Sequence, residues 1–166
     1  PEHLENTSLI LNENTDRKII VVSAPGKRTP EDTKITDLLI NFARTNDGSK
    51  MDEIISRFEA IFGHKNFGYV QELVSQSLDD RSKIPARTEI YQADGTSQEV
   101  AEREAYLDFE ASVKRIGEYI NAREIANHLG GTFVDSREIL RLFKEKGMVR
   151  IDPISERLIQ QNLRDP

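Results

Sequence analysis

The sequence predicts a helix-rich α/β protein, a layered fold with helices packed on a mainly parallel sheet. Ile19–Val22 is a run of four β-branched apolar residues, which suits a strand buried on both faces. Several amphipathic helical stretches follow it, and Thr132–Asp135 and Met148–Ile151 are two further strand candidates. Elements in this order are typical of an α/β layer fold. Because three strands are few for a self-sufficient parallel sheet, we expect further segments to complete it.

Helix starts are predicted from polar residues that precede apolar residues at helical spacing. Two residue pairs have the spacing of capping boxes, Ser49 with Asp52 and Thr96 with Glu99. In a capping box the side chain of each residue of the pair accepts a hydrogen bond from the backbone N–H of the other. The apolar period extends the helices from these and similar starts. The first predicted helix begins at Glu2 and is cut off by Asn12-Glu13-Asn14, and the second starts at Thr29-Pro30 or near Thr33 and runs to Asn46. The other predicted helices cover residues 49–62, 67–78, 96–129 and 154–163, with a brief helix start at 135–138.

Glycines and a loss of periodicity predict where these helices stop. Gly63 and the pair Gly130-Gly131 each follow an apolar stripe and are expected to end a helix. Gly117 is expected to interrupt the longest helical stretch, which would put Glu118 at the start of a new turn. From Ile84 to Gly95 no apolar period is sustained. We therefore predict a loop there.

Composition excludes several classes of function. The 166 residues include 23 basic and 29 acidic side chains, so the net charge is 23 − 29 = −6. This balance argues against nucleic acid as a partner, since phosphate contacts need a basic face. Cysteine is absent from the sequence, and no apolar run reaches the roughly 18 residues of a membrane span. We therefore expect a cytoplasmic protein with neither a membrane nor a nucleic-acid partner.

The carboxyl end of the first predicted strand is the first candidate site. Ser23-Ala24 stands there, directly before the loop that Pro25-Gly26 starts. In open α/β sheets ligands bind at the carboxyl ends of strands, so these residues can bind an anionic or amino-acid ligand. Lys27 and Arg28 can then neutralise a phosphate or carboxylate. An ordinary strand-to-loop turn with a solvated basic pair fits the same residues.

Two residues at predicted helix starts are further candidates. Thr36 can hydrogen-bond a substrate or simply cap the helix that follows. The Glu118 carboxylate can hold a substrate ammonium group, or it can favour the helix dipole by about 0.3–1 kcal/mol. The sequence contains neither of the nucleotide-binding patterns GxxxxGK[ST] and GxGxxG. We expect no metal site, because the histidines have no second ligand at metal spacing; they are His3, His64 and His128.

Two dense motifs resemble those of aspartokinases, which belong to the amino acid kinase family. VVSAPGKRTPEDTKITDLL, residues 21–39, looks like the family's second motif, in which a strand ending in Val-Ser-Ala leads into a loop and a Thr-Asp-Leu-Leu helix. GEYINAREIANHLGGTFVDSREI, residues 117–139, looks like its Gly-Glu-Tyr/Leu-x-Ser/Asn-Ala segment and the helix, strand and turn after it. IDPISERLIQQNL, residues 151–163, is similar to the segment before the family's nucleotide half. The resemblance covers nearly the whole chain in the right order.

The resemblance implies an activity and a set of site residues. Aspartokinases transfer the γ-phosphoryl group of ATP, bound with Mg, to the β-carboxylate of L-aspartate. The product, 4-phospho-L-aspartate, leads to lysine, threonine and methionine. By the match, Ser23 and Ala24 would line the aspartate pocket, Thr36 would hydrogen-bond the substrate, and Glu118 would face its amino group. No catalytic residue is implied, because the substrate carboxylate is the nucleophile and phosphoryl transfer needs mainly positioning and charge neutralisation.

The sequence also departs from the family's pattern. It lacks the family's Lys-Phe-Gly-Gly-(Ser/Thr)-Ser loop, which handles the ATP phosphates, the later Gly-Arg-Gly-Gly-Ser-Asp motif and the ACT regulatory region. Residues 1–166 are therefore expected to be a partial aspartokinase catalytic domain, the aspartate-binding half of a partial amino-acid-kinase-like fold, and to be inactive alone. An incomplete sheet would expose an edge and apolar surface, so self-association into a homo-oligomer stays open.

Two other functions fit the same residues. A non-catalytic interaction module derived from an amino acid kinase would use Lys27, Arg28 and the apolar helix stripes as a binding surface. A kinase of another small carboxylic acid, such as acetylglutamate or a carbamate, would keep the fold and change the substrate. The position of Glu118 and Thr36 discriminates between enzyme and scaffold, because only the enzyme needs both near Ser23.

Overall fold

The computed structural model describes residues 2–14, 19–145 and 147–163, and most of them are helical. The chain divides into two compact units, Pro1–Ala122 and Arg123–Pro166. A short 3₁₀ turn (Asp80–Lys83) lies between the fourth and fifth helices. The elements in chain order are α1 (Glu2–Asn12), α2 (Ile35–Thr45), α3 (Gly48–Phe62), α4 (Gly68–Asp79), α5 (Ile84–Ala93), α6 (Gln98–Leu129), α7 (Ser136–Ile139), β1 (Leu142–Glu145), β2 (Met148–Ile151) and α8 (Ile154–Leu163).

The first unit is organised around an apolar core between its helices. Phe58 and Phe67 stack near the middle of this core, with 5.7 Å between their ring centroids. Burying a large apolar side chain of this kind stabilises the fold by roughly 1.5–3 kcal/mol. The core residues come from α2, α3, α4, α6 and the residue before α4, and they are Ile35, Leu38, Leu39, Phe42, Ala43, Met51, Ile54, Phe58, Phe67, Val70, Val74, Phe109, Val113, Ile116 and Ile120.

The two ends of α3 show how local sequence sets a helix boundary. The Asp47 carboxylate accepts hydrogen bonds from the Ser49 backbone N–H (3.0 Å) and hydroxyl (2.7 Å), so Asp47 is the N-cap. The capping box predicted from Ser49 is therefore wrong by two positions. Gly63 ends the helix with a φ of +76°, and its N–H donates to the Glu59 carbonyl at 2.8 Å. Glycine adopts this left-handed conformation without steric cost, and the predicted stop at Gly63 is confirmed.

The segment after α4 differs from the prediction, because Ile84–Ala93 forms α5 where we predicted a loop. Pro85 lies in its first turn, where its missing N–H costs nothing. The buried residue of α5 is Thr88, whose hydroxyl donates to the Ile84 carbonyl at 2.9 Å. A polar residue at the inward position hides the apolar period that would otherwise mark the helix.

The described residues do not form the mainly parallel sheet that the sequence predicts. Ile19–Val22 has no strand pairing, and Val21 is 91% exposed. Thr132–Asp135 is not a strand either. A strand is stabilised by a neighbour that satisfies its backbone N–H and C=O groups. Because no described segment supplies that neighbour, the strand predictions for these two segments are wrong.

The second unit contains the two described strands, β1 and β2, which pair as an antiparallel hairpin. In its register Leu142 lies opposite Ile151, and Glu145 lies opposite Met148. The strand predicted at Met148–Ile151 is confirmed, whereas β1 was not predicted. An antiparallel hairpin forms between strands close in sequence, so it does not need the crossover that a parallel pair requires.

A buried serine fixes the start of α8 against the chain before β1. The Ser155 hydroxyl accepts from the Arg141 backbone N–H at 2.7 Å and lies 3.2 Å from the Arg141 carbonyl, to which it donates. The Asp152 carboxylate accepts from the Ile154 backbone N–H at 2.9 Å. The predicted start of the last helix at Asp152-Pro153 is therefore confirmed.

Candidate functional site

Gly117 is the point at which three segments that carry the predicted site residues meet. A Cβ atom added there would lie 3.2 Å from Leu39 Cδ1, and 3.5 Å from both Ala24 Cβ and Ile35 Cγ2. A contact of 3.2 Å is tighter than most real Cβ contacts, so a larger side chain would push the segments apart. The absence of a side chain at Gly117 therefore lets α6 pass close to α2 and to Ala24.

A hydrogen bond from α6 holds the backbone at Ser23. Asn121 lies one turn after Gly117 and is only 8% exposed. Its side-chain Nδ2 donates to the Ser23 carbonyl at 2.6 Å. A buried amide without a partner is costly, so this bond both satisfies Asn121 and fixes Ser23. Asn121 was not among the predicted site residues, although a polar residue beside Ile120 on the inward face of a helix is a usable signal.

The four predicted aspartate-binding residues lie on the three segments that meet at Gly117. Ser23 is exposed and Ala24 is half-buried. Thr36 is half-buried and is the second residue of α2, next to Ile35. Glu118 is exposed and directly follows Gly117 in α6. The structure thus brings Ala24, and Ile35 next to Thr36, close to Gly117, which precedes Glu118. The binding roles of all four residues stay predictions.

Glu118 lies in the middle of α6, which continues unbroken from Gln98 to Leu129. The interruption predicted at Gly117 is therefore wrong. Helix-dipole effects are confined to the first and last turns of a helix. The alternative role for Glu118, a carboxylate that favours a helix N-terminus, consequently does not apply.

The loop that follows Ala24 is held together by Asp32. Its carboxylate accepts from the Arg28 backbone N–H (3.0 Å), from Arg28 Nε (2.9 Å) and from the Thr33 backbone N–H (3.0 Å). Hydrogen bonds from the Arg28 side chain and then its backbone hold the pKa of Asp32 well below its ordinary range, and the Arg57 charge adds to this. Lys27 Nζ donates to the Pro30 carbonyl at 3.1 Å. Both basic residues predicted as ligand partners are thus engaged within the loop.

Arg57 reaches the same loop from α3. It is 3% exposed, and its Nη2 donates to Asp32 at 2.9 Å and to the Gly26 carbonyl at 3.4 Å. Its Nη1 donates to the Thr33 carbonyl. Arg57 was not among the predicted site residues, although a cation inside the apolar stripe of α3, next to Phe58, is unusual enough to be noticed.

The described part of the chain contains no group of three or more His, Asp or Glu side chains that could hold a metal ion. His64 stacks on Phe67, with 4.7 Å between the ring centroids. The side chain of His3 lies outside the described residues. Among the helices described, none combines the length and the apolar character that a membrane crossing requires.

The fold is similar to that of a known class of phosphotransferase. The aspartate kinase of Clostridium acetobutylicum superposes on 98% of this chain with a TM-score of 0.57, and the match covers 33% of that enzyme. Sequence identity in this superposition is 21%, so the likeness establishes the fold. This fold corresponds to about a third of an aspartate kinase.

Sequence similarity points to the same class. The chain is 31% identical over 128 residues to Aspartokinase 3 of Bacillus subtilis (strain 168), a match that covers 74% of this chain. The chain spans about a quarter of the length of that curated relative, 25%. No protein-family model matches it. The chain is therefore aspartokinase-related, and the resemblance seen in its motifs is confirmed.

Proposed function

We propose that this chain forms the aspartate-binding part of an aspartokinase catalytic domain, with Ser23, Ala24, Thr36 and Glu118 around the substrate. The whole enzyme would transfer the γ-phosphoryl group of ATP to the β-carboxylate of L-aspartate and form 4-phospho-L-aspartate. The observation that carries the proposal is the meeting of the three segments with these residues at Gly117. The two relatives, both aspartate kinases by name, support the same substrate.

The charges of the substrate suggest the role of each residue. L-aspartate at neutral pH has one ammonium group and two carboxylates. The Glu118 carboxylate would pair with the ammonium group, while the hydroxyls of Ser23 and Thr36 would donate to a carboxylate. Hydrogen bonds between ionised groups are roughly twice as strong as neutral ones. Glu118 is therefore expected to contribute most to the discrimination between L-aspartate and ligands without an amino group.

We do not propose that any residue of this chain binds ATP or its Mg²⁺. The described residues contain no cluster of three potential metal ligands, and Lys27 and Arg28 are both hydrogen-bonded within their own loop. We therefore assign neither Lys27 nor Arg28 to the phosphates of ATP. We expect no 4-phospho-L-aspartate when the 166-residue polypeptide is incubated with ATP, Mg²⁺ and L-aspartate, and product formation would refute this expectation.

We also propose a cellular location and an assembly state for the protein. The composition and the aspartokinase relationship support a cytoplasmic protein that acts on small molecules. Leu142 and Val149 of the hairpin are 63% and 68% exposed, and exposed apolar surface of this kind favours association. A homo-oligomer is therefore part of the proposal, and sedimentation of the purified chain tests it.

The same exposed hairpin supports a second candidate function. An interaction module derived from an amino acid kinase would use an apolar surface of this kind and would not need an intact aspartate site. Such a module would keep its partner binding when Glu118 and Thr36 are replaced. Binding of L-aspartate by wild type, and its loss in the same variants, is the pattern that this alternative cannot produce.

A ligand titration tests the proposed function directly. The ¹⁵N-labelled chain is titrated with L-aspartate, and we expect amide shifts concentrated at Ser23, Ala24, Thr36 and Glu118. Succinate, which lacks the amino group, is expected to bind at least about tenfold more weakly, a difference of about 1.4 kcal/mol. N-acetylglutamate serves as the ligand that a related acid kinase would prefer.

The variant Glu118→Gln separates the role of this carboxylate from general effects. It is expected to bind L-aspartate and succinate with similar affinity, since the partner of the ammonium group is gone. Glu104→Gln is the matched control, because Glu104 is also an exposed glutamate on α6. Absence of L-aspartate binding in wild type, or preference for succinate or N-acetylglutamate, would overturn the proposal.

A further inference from the structure

We propose that Arg57 is a positioning residue that sets the spacing between the two halves of the aspartate site, Ser23-Ala24 on one side and Thr36 on the other. This inference rests on the proposed function. Arg57 itself lies on α3 and is 3% exposed, so it acts through the Gly26–Thr33 loop.

The contacts of Arg57 close this loop at both ends. Its Nη2 atom donates to the Gly26 carbonyl at 3.4 Å, and its Nη1 atom donates to the Thr33 carbonyl. Between these ends the Asp32 carboxylate accepts from Nη2 at 2.9 Å. A single guanidinium group thus holds the first residue of the loop, its last residue and the carboxylate of Asp32, the residue before the last.

The positions of these contacts along the chain connect them to the site. Gly26 comes two residues after Ala24, and Thr33 comes three residues before Thr36. Segments this short have little freedom to change their end-to-end distance. Holding Gly26 and Thr33 on one guanidinium group therefore limits how far Ala24 and Thr36 can separate.

Stability alone is a weak reason for a buried arginine at this position. Removing a guanidinium group from water is costly, and replacing a buried ion pair with apolar side chains is often neutral or stabilising. Within the described structure, Arg57 Nε is buried and has no hydrogen-bond partner. The group therefore leaves one donor unsatisfied while its other nitrogens engage the loop. A planar, multi-donor group is suited to fixing several acceptors at set distances.

The test compares Arg57→Lys with Arg44→Lys. Lysine keeps the charge but loses the fork of donors that reaches several acceptors. Arg44 is the matched control, because it also makes an ion pair within the first unit, with the buried Glu110 of α6. For each chain we measure the dissociation constants of L-aspartate and L-glutamate, the urea unfolding midpoint and the rate of tryptic cleavage after Arg28.

The ratio of the two dissociation constants reports on spacing, because L-glutamate is one methylene longer than L-aspartate. Wild type is expected to prefer L-aspartate by about tenfold or more, the range that one methylene allows. Arg57→Lys is expected to bring this ratio severalfold closer to one and to speed cleavage after Arg28. Arg44→Lys is expected to change neither, even where it lowers the urea midpoint. A purely structural role would weaken both ligands equally and leave their ratio unchanged.

The possible results distinguish failure of the inference about Arg57 from failure of the proposed function. An unchanged ratio in folded Arg57→Lys would overturn the inference while leaving the proposed function intact. Absence of L-aspartate binding in wild type would instead overturn the proposed function. Should Arg57→Lys fail to fold, Asp32→Asn replaces it, because this variant removes the charged partner of Arg57 and keeps the arginine. A ratio that moves toward one in that variant supports the inference, and an unchanged ratio refutes it.

Discussion

The helical core of the first unit and the hairpin of the second unit use apolar residues in opposite ways. Ile35, Leu39 and Phe58 are fully buried, whereas Leu142 and Val149 are 63% and 68% exposed. A helix satisfies its own backbone hydrogen bonds, so it needs only a neighbour for one apolar face. A two-stranded hairpin is marginal alone and depends on what covers it. The contrast shows that local sequence determines the helical part, while the strands depend on neighbours.

The largest test of this contrast removes one phenylalanine from each region. Phe58→Ala is expected to lower the free energy of unfolding by about 3–5 kcal/mol, because it leaves a cavity in a packed core. Phe143→Ala in β1 is the control, since Phe143 is already 40% exposed. We expect it to cost less than about 1 kcal/mol, and urea denaturation measures both. Equal effects would mean that the hairpin is as well packed as the core.

The second test concerns the close approach at Gly117. Gly117→Val is expected to cost about 1–3 kcal/mol of stability, because its side chain would collide with Leu39 and Ala24. It is also expected to weaken L-aspartate binding at least about tenfold. Gly68→Val is the control, since a Cβ there meets no atom within 4 Å. Calorimetric titration and urea denaturation of both variants give the comparison, and similar losses in the two would contradict it.

A smaller effect is expected at the start of α3, where local sequence sets the boundary. Asp47→Ala is expected to destabilise the first unit by about 1 kcal/mol, the usual worth of an N-cap. Ser49→Ala should cost less, because Asp47 would still accept the Ser49 backbone N–H. Thermal unfolding of the two variants measures the difference. A larger loss of stability in Ser49→Ala than in Asp47→Ala would instead support Ser49 as the N-cap, as the predicted capping box requires.

The smallest expected effect is a dependence on pH at Asp32, whose partner Arg28 is more than half exposed to water. Arg28 and Arg57 keep the pKa of Asp32 lowered, and Glu53 on α3 is the nearby acidic group that acts on Arg28. The stabilisation is therefore present above the ordinary pKa of about 4 and is lost as the pH falls below it. Asp32→Asn should be less stable than wild type at pH 7, with the difference shrinking below about pH 4. A constant difference across this range would be inconsistent with the ion pair.

The sequence predicted the helices well, because their signal is local. The stripe from Met51 to Phe62 and the stop at Gly63 needed no knowledge of the rest of the chain. The helix at Ile84–Ala93 was missed because its buried residue is Thr88. Ile19–Val22 has strand-forming residues, yet pairing depends on a partner that no local pattern reveals.

The candidate site was predictable from motifs rather than from periodicity. The resemblance to aspartokinases predicted the four site residues, Ser23, Ala24, Thr36 and Glu118. Local helix signals, by contrast, wrongly predicted an interruption of the helix at Gly117. In the structure Gly117 does not interrupt the helix; its lack of a side chain lets Ala24 and Leu39 pack close to α6. The apolar period of α3 marks Arg57 as unusual, but its partners could not be predicted, because they lie 24 to 31 positions away in the chain.

A crystal structure of the chain with L-aspartate bound would show directly whether Glu118 holds the ammonium group of the ligand. The quantity to measure is the distance from a Glu118 carboxylate oxygen to the ligand nitrogen. We expect about 2.7–3.2 Å, a charge-assisted hydrogen bond, with the ligand also in contact with Ser23 or Thr36. A ligand bound away from Gly117, with Glu118 directed to solvent, would contradict the assignment of this site.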